Sequence, residues 1–231
     1  MNHRLEESAD AVVLAPAAPA TAAVIWLHGL GADGHDFVPI VRELRLPAEP
    51  AVRFVFPHAP VRPVTINNGM RMRAWYDIRE LSASGAADEA GIRDSAAILV
   101  RFIQRERDVG VAANRIVIAG FSQGGAIALH QALRHPERLA GVMALSTYLP
   151  LRASLAAEAA QANRDLPILM CHGQFDPVLP MKLGTSSRDL LQAAGYAVEW
   201  KEYAMQHQVC MEEVQDIASW LGARLSAAPA R

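Results

Sequence analysis

Apolar positions along the chain fall into short unbroken runs that alternate with helical stripes. Ala22 to His28, Val52 to Phe56, Arg115 to Ile118, Leu139 to Leu145 and Ile168 to His172 are apolar on both faces. Runs of that length and kind predict strands buried inside a parallel sheet. Ala11 to Leu14 predicts a short first strand and Ala197 to Tyr203 a last one. Between them the spacing turns helical. His35 to Leu44 carries Phe37, Ile40, Val41 and Leu44 on one side, and Asp88 to Arg107 carries Ile92, Ala96, Leu99 and Ile103. Ala126 to Leu133, Lys182 to Ala194 and Met211 to Leu225 read as further helices, with a short one near Leu155 to Gln161. Alternating strands and helices predict an α/β fold, a mostly parallel sheet covered on both faces.

The connections change the picture in three places. Residues 1–20 read as an N-terminal strand and a linker that turns at Pro16-Ala17-Ala18-Pro19. Pro57 to Gly85 reads as a long irregular stretch of the kind that serves as a lid or binding loop. Residues 226–231 read as a disordered tail. No repeat and no separating linker divides the 231 residues, so one domain is expected over 1–231.

A hydrophobic content of 52% provides a sizeable core, and a net charge of -2 gives no reason to expect nucleic acid. Cys171 and Cys210 are too few for a disulfide framework and suit reduced thiols. No apolar run has the length of a membrane span, so no stable membrane insertion is expected. Ala11 to Ala23 is apolar, but Glu6, Glu7 and Asp10 precede it and Pro16 and Pro19 interrupt it, unlike an export signal. A cytoplasmic protein is the expectation.

The candidate chemistry centres on Gly120-Phe121-Ser122-Gln123-Gly124. A strand precedes it and a helix follows, which is the G-x-S-x-G nucleophile elbow. The serine occupies a strained turn, and side chains at 120 and 124 would clash there. A serine hydroxyl attacks only when a base takes its proton and a third group orients the base. In this elbow arrangement the acid and then the histidine follow the serine along the chain. His130 and His135 lie on or just after the elbow helix, and His172 ends a strand with no acid-bearing strand end before it. His207 alone lies on a loop after a strand with a suitable acid upstream. Among the acids, Asp165 precedes its strand, while Asp189, Glu137 and Glu158 sit on or near helices. Glu199 and Glu202 belong to the last strand. Asp176 follows a strand at its carboxyl end, where open α/β sheets build their sites. The expected triad is Ser122, Asp176 and His207.

His28-Gly29-Leu30-Gly31-Ala32-Asp33-Gly34 lacks the lysine of a phosphate loop and reads as the source of a second oxyanion donor. The candidate donors are the backbone N–H groups of Leu30 and Gln123. His28 and His58 are expected to make structural hydrogen bonds. No residue set has metal-ligand spacing, so no metal and no cofactor are expected. Met70, Met72, Trp75, Leu149 and Val178 are candidates for an apolar acyl site or for core.

Six stretches carry a resemblance to a known family: VIWLHGLGADGHDF from Val24, FVFPHAPVRPVTINNGMRMRAWYDI from Phe54, IVIAGFSQGGAIAL from Ile116, MALSTYLP from Met143, ILMCHGQFDPVLP from Ile168 and YAMQHQVCMEEVQDIASWL from Tyr203. Taken together they resemble the bacterial carboxylesterase and acyl-protein thioesterase family, also called phospholipase/carboxylesterase. The resemblance implies an α/β-hydrolase fold, Ser122, Asp176 and His207 as triad, and Leu30 and Gln123 as oxyanion hole. It also implies an acyl pocket formed partly by the Trp75 region and the Tyr148-Leu149 loop, and it makes a homodimer an option. The chain departs from the family at Gln206-His207-Gln208, where Gly-His-Glu is usual, and Gln206 adds bulk beside the base. The expected activity is that of a serine carboxylesterase acting on an ester or acyl substrate, with acyl-protein thioesterase or lysophospholipase as the narrower reading. A hydrolase-fold binding module would lack a triad member, and none is missing here.

Overall fold

In the computed structural model, residues 3–79 and 87–226 are described. Ten strands run β1 (His3–Glu7), β2 (Ala11–Pro16), β3 (Ala22–Leu27), β4 (Val52–Pro57), β5 (Val61–Val64), β6 (Met70–Arg73), β7 (Ile116–Phe121), β8 (Gly141–Leu145), β9 (Ile168–Gly173) and β10 (Val198–Tyr203). Six α-helices run α1 (Ile40–Glu43), α2 (Glu89–Asp108), α3 (Gln123–Ala132), α4 (Leu155–Glu158), α5 (Met181–Ala193) and α6 (Met211–Ser226). Eight strands form one sheet in the order β1-β2-β4-β3-β7-β8-β9-β10. The β1/β2 and β2/β4 pairs are antiparallel, and all pairs from β4 to β10 are parallel.

Alternation along the central strands explains why both faces are apolar. In β3, Ala23, Ile25 and Leu27 point into one cluster with Leu99 and Ile103 of α2 and Ile127 of α3. Ala22, Val24 and Trp26 point into the opposite cluster with Phe54, Val117 and the α6 residues Ile217, Trp220 and Leu221. A strand covered on both sides must read as a continuous apolar run. Helix α3 is buried along its whole length, which explains its small residues Ala126, Ala128 and Ala132 between sheet and α2. No helix among the described residues is long and apolar enough to cross a membrane.

The structure corrects the pattern reading where local signals mislead. The stretch from His35 to Leu44 forms turns and only the four-residue α1. Pro39 starts that helix, since a proline inside one would remove a hydrogen bond. Phe37, Val41 and Leu44 are buried all the same, so their spacing marks anchoring to the core. Strand β1 was not expected; its polar residues find their place only by pairing with β2. Residues 1–20 thus hold two strands where a strand and a linker were expected, and the second continues through Pro16. The stretch from Pro57 to Gly85 is ordered in its described part by the β5–β6 hairpin, turning at Asn68 and Gly69 with φ of 55° and 75°. Its last residues, and the expected tail beyond Ser226, fall outside the described residues.

One buried charge-bearing group stands out in this frame. Glu213 of α6 is fully buried. Its removal from water outweighs the pull of the Cys210 backbone N–H and the Cys171 thiol, and its carboxyl is pushed up to about 8. The unfolded chain ionises that group at ordinary carboxylate pH, so its contribution is fully present below about pH 4.5 and lost as pH rises through 8. Glu213→Gln is expected to raise thermal stability at pH 7 by up to about 3 kcal/mol and to flatten its fall between pH 5 and 8. Melting curves of both proteins across that range check it; an unchanged slope would show that Glu213 is not the titrating group.

Candidate active site

The turn between β7 and α3 is shaped by what it cannot hold. A Cβ on Gly120 would meet the Gly125 nitrogen at 2.6 Å and the Gly124 carbonyl, and one on Gly124 would meet the His28 carbonyl oxygen at 2.5 Å. Both flanking positions therefore exclude any side chain, and β7–α3 packs backbone to backbone against the end of β3. Ser122 takes φ 53° and ψ -121°, a region costly for a residue with a side chain. Hydrogen bonds hold it there. The Ser122 N–H donates to the Leu145 carbonyl at 2.8 Å, and the Thr147 hydroxyl donates to the Ser122 carbonyl at 2.6 Å.

Three distant side chains meet at this turn. His207 Nε2 lies 2.9 Å from Ser122 Oγ, and its Nδ1 lies 2.6 Å from Asp176 Oδ2. The carboxylate accepts the Nδ1–H, which leaves Nε2 free to accept the serine proton. The other oxygen of Asp176 accepts the N–H groups of Val178 and Leu179 at 2.9 and 2.8 Å, which fixes the carboxylate. His172 supports the same turn. Its Nε2–H donates to the Leu179 carbonyl at 2.8 Å, and burial lowers its pKa, which favours the neutral form. The Phe121 ring sits 4.8 Å from the His207 ring, centroid to centroid, and limits its swing.

Gly173 has a role that spacing alone did not single out. A Cβ there would meet the Met205 carbonyl oxygen at 2.5 Å and the Gln206 carbonyl. The loop carrying His207 thus lies directly on the end of β9, the strand that leads to Asp176. Its position, last in a strand and three residues before the acid, was the available signal. Gln206 itself is exposed.

The loop after β3 is held rigidly. His28 Nδ1–H donates to the Gly29 carbonyl at 2.7 Å, and its Nε2 accepts the Ala59 N–H at 3.0 Å. Burial pushes its pKa down to about 4, so it is neutral at physiological pH. The Gly31 N–H donates to the Arg73 carbonyl at 2.9 Å, tying the loop to β6. His58 Nδ1 accepts the Gly34 N–H at 3.0 Å. Leu30 and Gln123 both line the cleft that opens at Ser122. Gln123 begins α3, where first-turn N–H groups have no partner within the helix. Its side chain is occupied elsewhere: Oε1 accepts the Trp75 N–H and Nε2 donates to the Tyr76 carbonyl, each at 2.7 Å.

That cleft measures about 400 Å³. Ile66, Ile78, Phe121, Val178 and Leu179 make it largely apolar, with Tyr76 and Tyr148 on its wall. Of the expected acyl-site residues, Val178 lines it. Met70, Trp75 and Leu149 do not, and neither does Met72. Trp75 is fully buried, with its indole N–H donating to the His28 carbonyl at 2.9 Å, so it braces the loop from behind. Leu149 belongs to the core, and Met70 faces solvent from the hairpin. The pattern counts apolar residues near the site but cannot tell which side of a strand faces the opening.

Known proteins share this sequence pattern and fold. The phospholipase/carboxylesterase model matches residues 8–225. An acyl-protein thioesterase 1 from Neurospora crassa is 45% identical over 214 residues, covering 89% of this chain and 87% of that protein. The crystal structure of Arabidopsis thaliana SOBER1 superposes with a TM-score of 0.84 at 31% identity, covering 88% of this chain and 99% of the other. That of Zea mays acyl-protein thioesterase 2 gives 0.83 at 31% identity, covering 93% and 98%. These relatives are fungal and plant proteins, so the likeness is not confined to bacteria. The folds match α/β hydrolases, and the chain belongs to the phospholipase/carboxylesterase family of ester hydrolases.

Proposed function

We propose that this protein is a serine carboxylesterase working through an acyl-enzyme, with Ser122 as nucleophile, His207 as base and Asp176 as its orienting acid. The observation that carries the reading is the continuous chain of contacts from Asp176 through His207 to Ser122. His207 Nε2 takes the Ser122 proton as Oγ attacks the ester carbonyl carbon. The carbonyl oxygen gathers negative charge, and the N–H groups of Leu30 and Gln123 receive it, helped by the positive end of α3. The imidazolium then returns its proton to the departing alcohol or thiol. Water, deprotonated by His207, releases the acid and restores the serine. Asp176 holds the imidazole in one tautomer and stabilises its charged form.

The reading treats the chain as one hydrolase domain in the cytoplasm, where the free thiols Cys171 and Cys210 would stay reduced. A second, narrower reading is an acyl-protein thioesterase. It is favoured by the Neurospora crassa and Zea mays relatives, both acyl-protein thioesterases. The chemistry is the same and only the leaving group differs.

Ser122→Ala is expected to lower turnover of p-nitrophenyl esters at least about a thousandfold while leaving the melting temperature near that of the parent. Labelling by a fluorophosphonate probe should vanish with it; turnover that survives the substitution would reject the assignment. Asp176→Asn is expected to reduce kcat by about ten-thousandfold through the wrong imidazole tautomer. Matched oxygen esters and thioesters of equal chain length separate the two readings. A kcat/KM ratio that favours thioesters beyond their greater intrinsic reactivity supports the thioesterase, and a ratio near that of the uncatalysed pair supports the broad esterase.

A further inference from the structure

Tyr76 and Tyr148 line the cleft beside Ser122, yet the proposed reaction uses neither. Their hydroxyl oxygens are 2.9 Å apart. Each is anchored next to the elbow. The Tyr76 carbonyl accepts from Gln123 Nε2, and Thr147, just before Tyr148, donates to the Ser122 carbonyl. The pair therefore bridges the segment after β6 to the loop after β8 at a fixed distance from the nucleophile.

Two phenols hold two O–H hydrogens, and one hydrogen bond consumes one of them. Among the described residues neither hydroxyl has another partner. Burial decides which hydrogen is left over. Tyr76 is 3% exposed, so a surplus hydrogen there reaches an acceptor less readily than one on Tyr148. Tyr148 is only half-buried. The less costly arrangement has Tyr76 donating to Tyr148 and Tyr148 turning its own hydrogen to the cleft. Burial also pushes the pKa of both phenols up, so both hydrogens are retained at neutral pH.

The geometry points to Tyr148 as a specificity-determining residue whose hydroxyl donates to a second oxygen of the substrate, away from the scissile carbonyl. The substrate class is an ester or thioester carrying an ether, hydroxyl or further carbonyl oxygen. Such an oxygen replaces the water that otherwise accepts from Tyr148. A plain alkyl chain displaces that water and offers nothing in return. The inference rests on the Ser122 reading above and adds to it what the surrounding wall selects.

The oxygen can lie in the acyl or in the alcohol portion, and two arms tell them apart. One compares p-nitrophenyl hexanoate with analogues in which an oxygen replaces one methylene of the chain. The other compares butyl butyrate with 2-methoxyethyl butyrate. In one arm the oxygen-bearing ester should be favoured, and Tyr148→Phe should lower that kcat/KM ratio about threefold to tenfold. Measuring the ratio against the parent cancels the inductive effect of the added oxygen. Tyr76→Phe should keep the preference, because Tyr148 still holds its hydrogen. An unchanged ratio in Tyr148→Phe in both arms, or a loss confined to Tyr76→Phe, overturns the inference. Parent protein that hydrolyses no ester and takes no fluorophosphonate label overturns the Ser122 reading instead.

Discussion

The close approach of the β7–α3 turn to the end of β3 is the constraint from which the site follows. Gly120 and Gly124 leave no atom beyond the backbone, so strand, turn and helix lie directly on the His28 carbonyl. Ser122, between these two glycines, takes a positive-φ conformation that the bonds from Thr147 and to Leu145 sustain. The same contact brings the loop after β3 beside the nucleophile: a Cβ on Gly29 would stand 3.5 Å from Ser122 Cβ. One packing event thus sets Ser122, the helix end behind it and the neighbouring loop after β3. The strain, of order 1–3 kcal/mol for such a residue, is carried by a sheet whose two faces are both sealed.

A parallel sheet then does the rest by geometry. Strands β7, β8, β9 and β10 run in one direction side by side. Their carboxyl ends therefore share an edge, and the loops that leave them share a rim. Serine after β7, aspartate after β9 and histidine after β10 meet although Ser122 and His207 are 85 positions apart. Gly173 lets the last of these loops settle onto β9, and His172 pins the turn that presents the acid. Two buried histidines, His28 and His172, act as fixed hydrogen-bonding groups, one in the loop after β3 and one beneath the Asp176 turn. Burial favours the neutral form of both, and His172, whose Nε2 lies 3.6 Å from Asp176 Oδ2, gives its hydrogen to the Leu179 carbonyl instead.

Legibility from sequence followed the range of the interaction. The central strands and long helices were readable because each is fixed by its own periodicity against one core. The positions now found side by side at the turn were readable because strand ends and topology restrict where they can lie. What escaped the pattern depended on partners far away in the chain. β1 is polar and owes its place to β2. The residues from 35 to 44 look helical, but Pro39 and the pull of the core on Phe37 and Leu44 decide otherwise. The cleft wall escaped for the same reason. Trp75 and Leu149 are near the site in sequence terms, yet they face inward. Ile66, Ile78 and Leu179 face the opening, and nothing in their own neighbourhoods distinguishes the two cases.

Trp75 shows why this difference has chemical weight. A large apolar residue beside an active site is easily assigned to substrate, but this one spends both its N–H groups on the frame, the backbone one on Gln123 and the indole one on His28. The next residue, Tyr76, gives its carbonyl to Gln123 and its ring to the cleft. Bracing and lining therefore change over within a single peptide unit. On the proposed reading, a substitution at 75 acts on the positions of both oxyanion donors, through His28 and Gln123, and so on the rate for every substrate alike. On the same reading, one at 148 acts on the wall and discriminates among substrates. On that reading rate and selectivity are separable, because Trp75 after β6 braces the frame while Tyr148 after β8 faces the cleft.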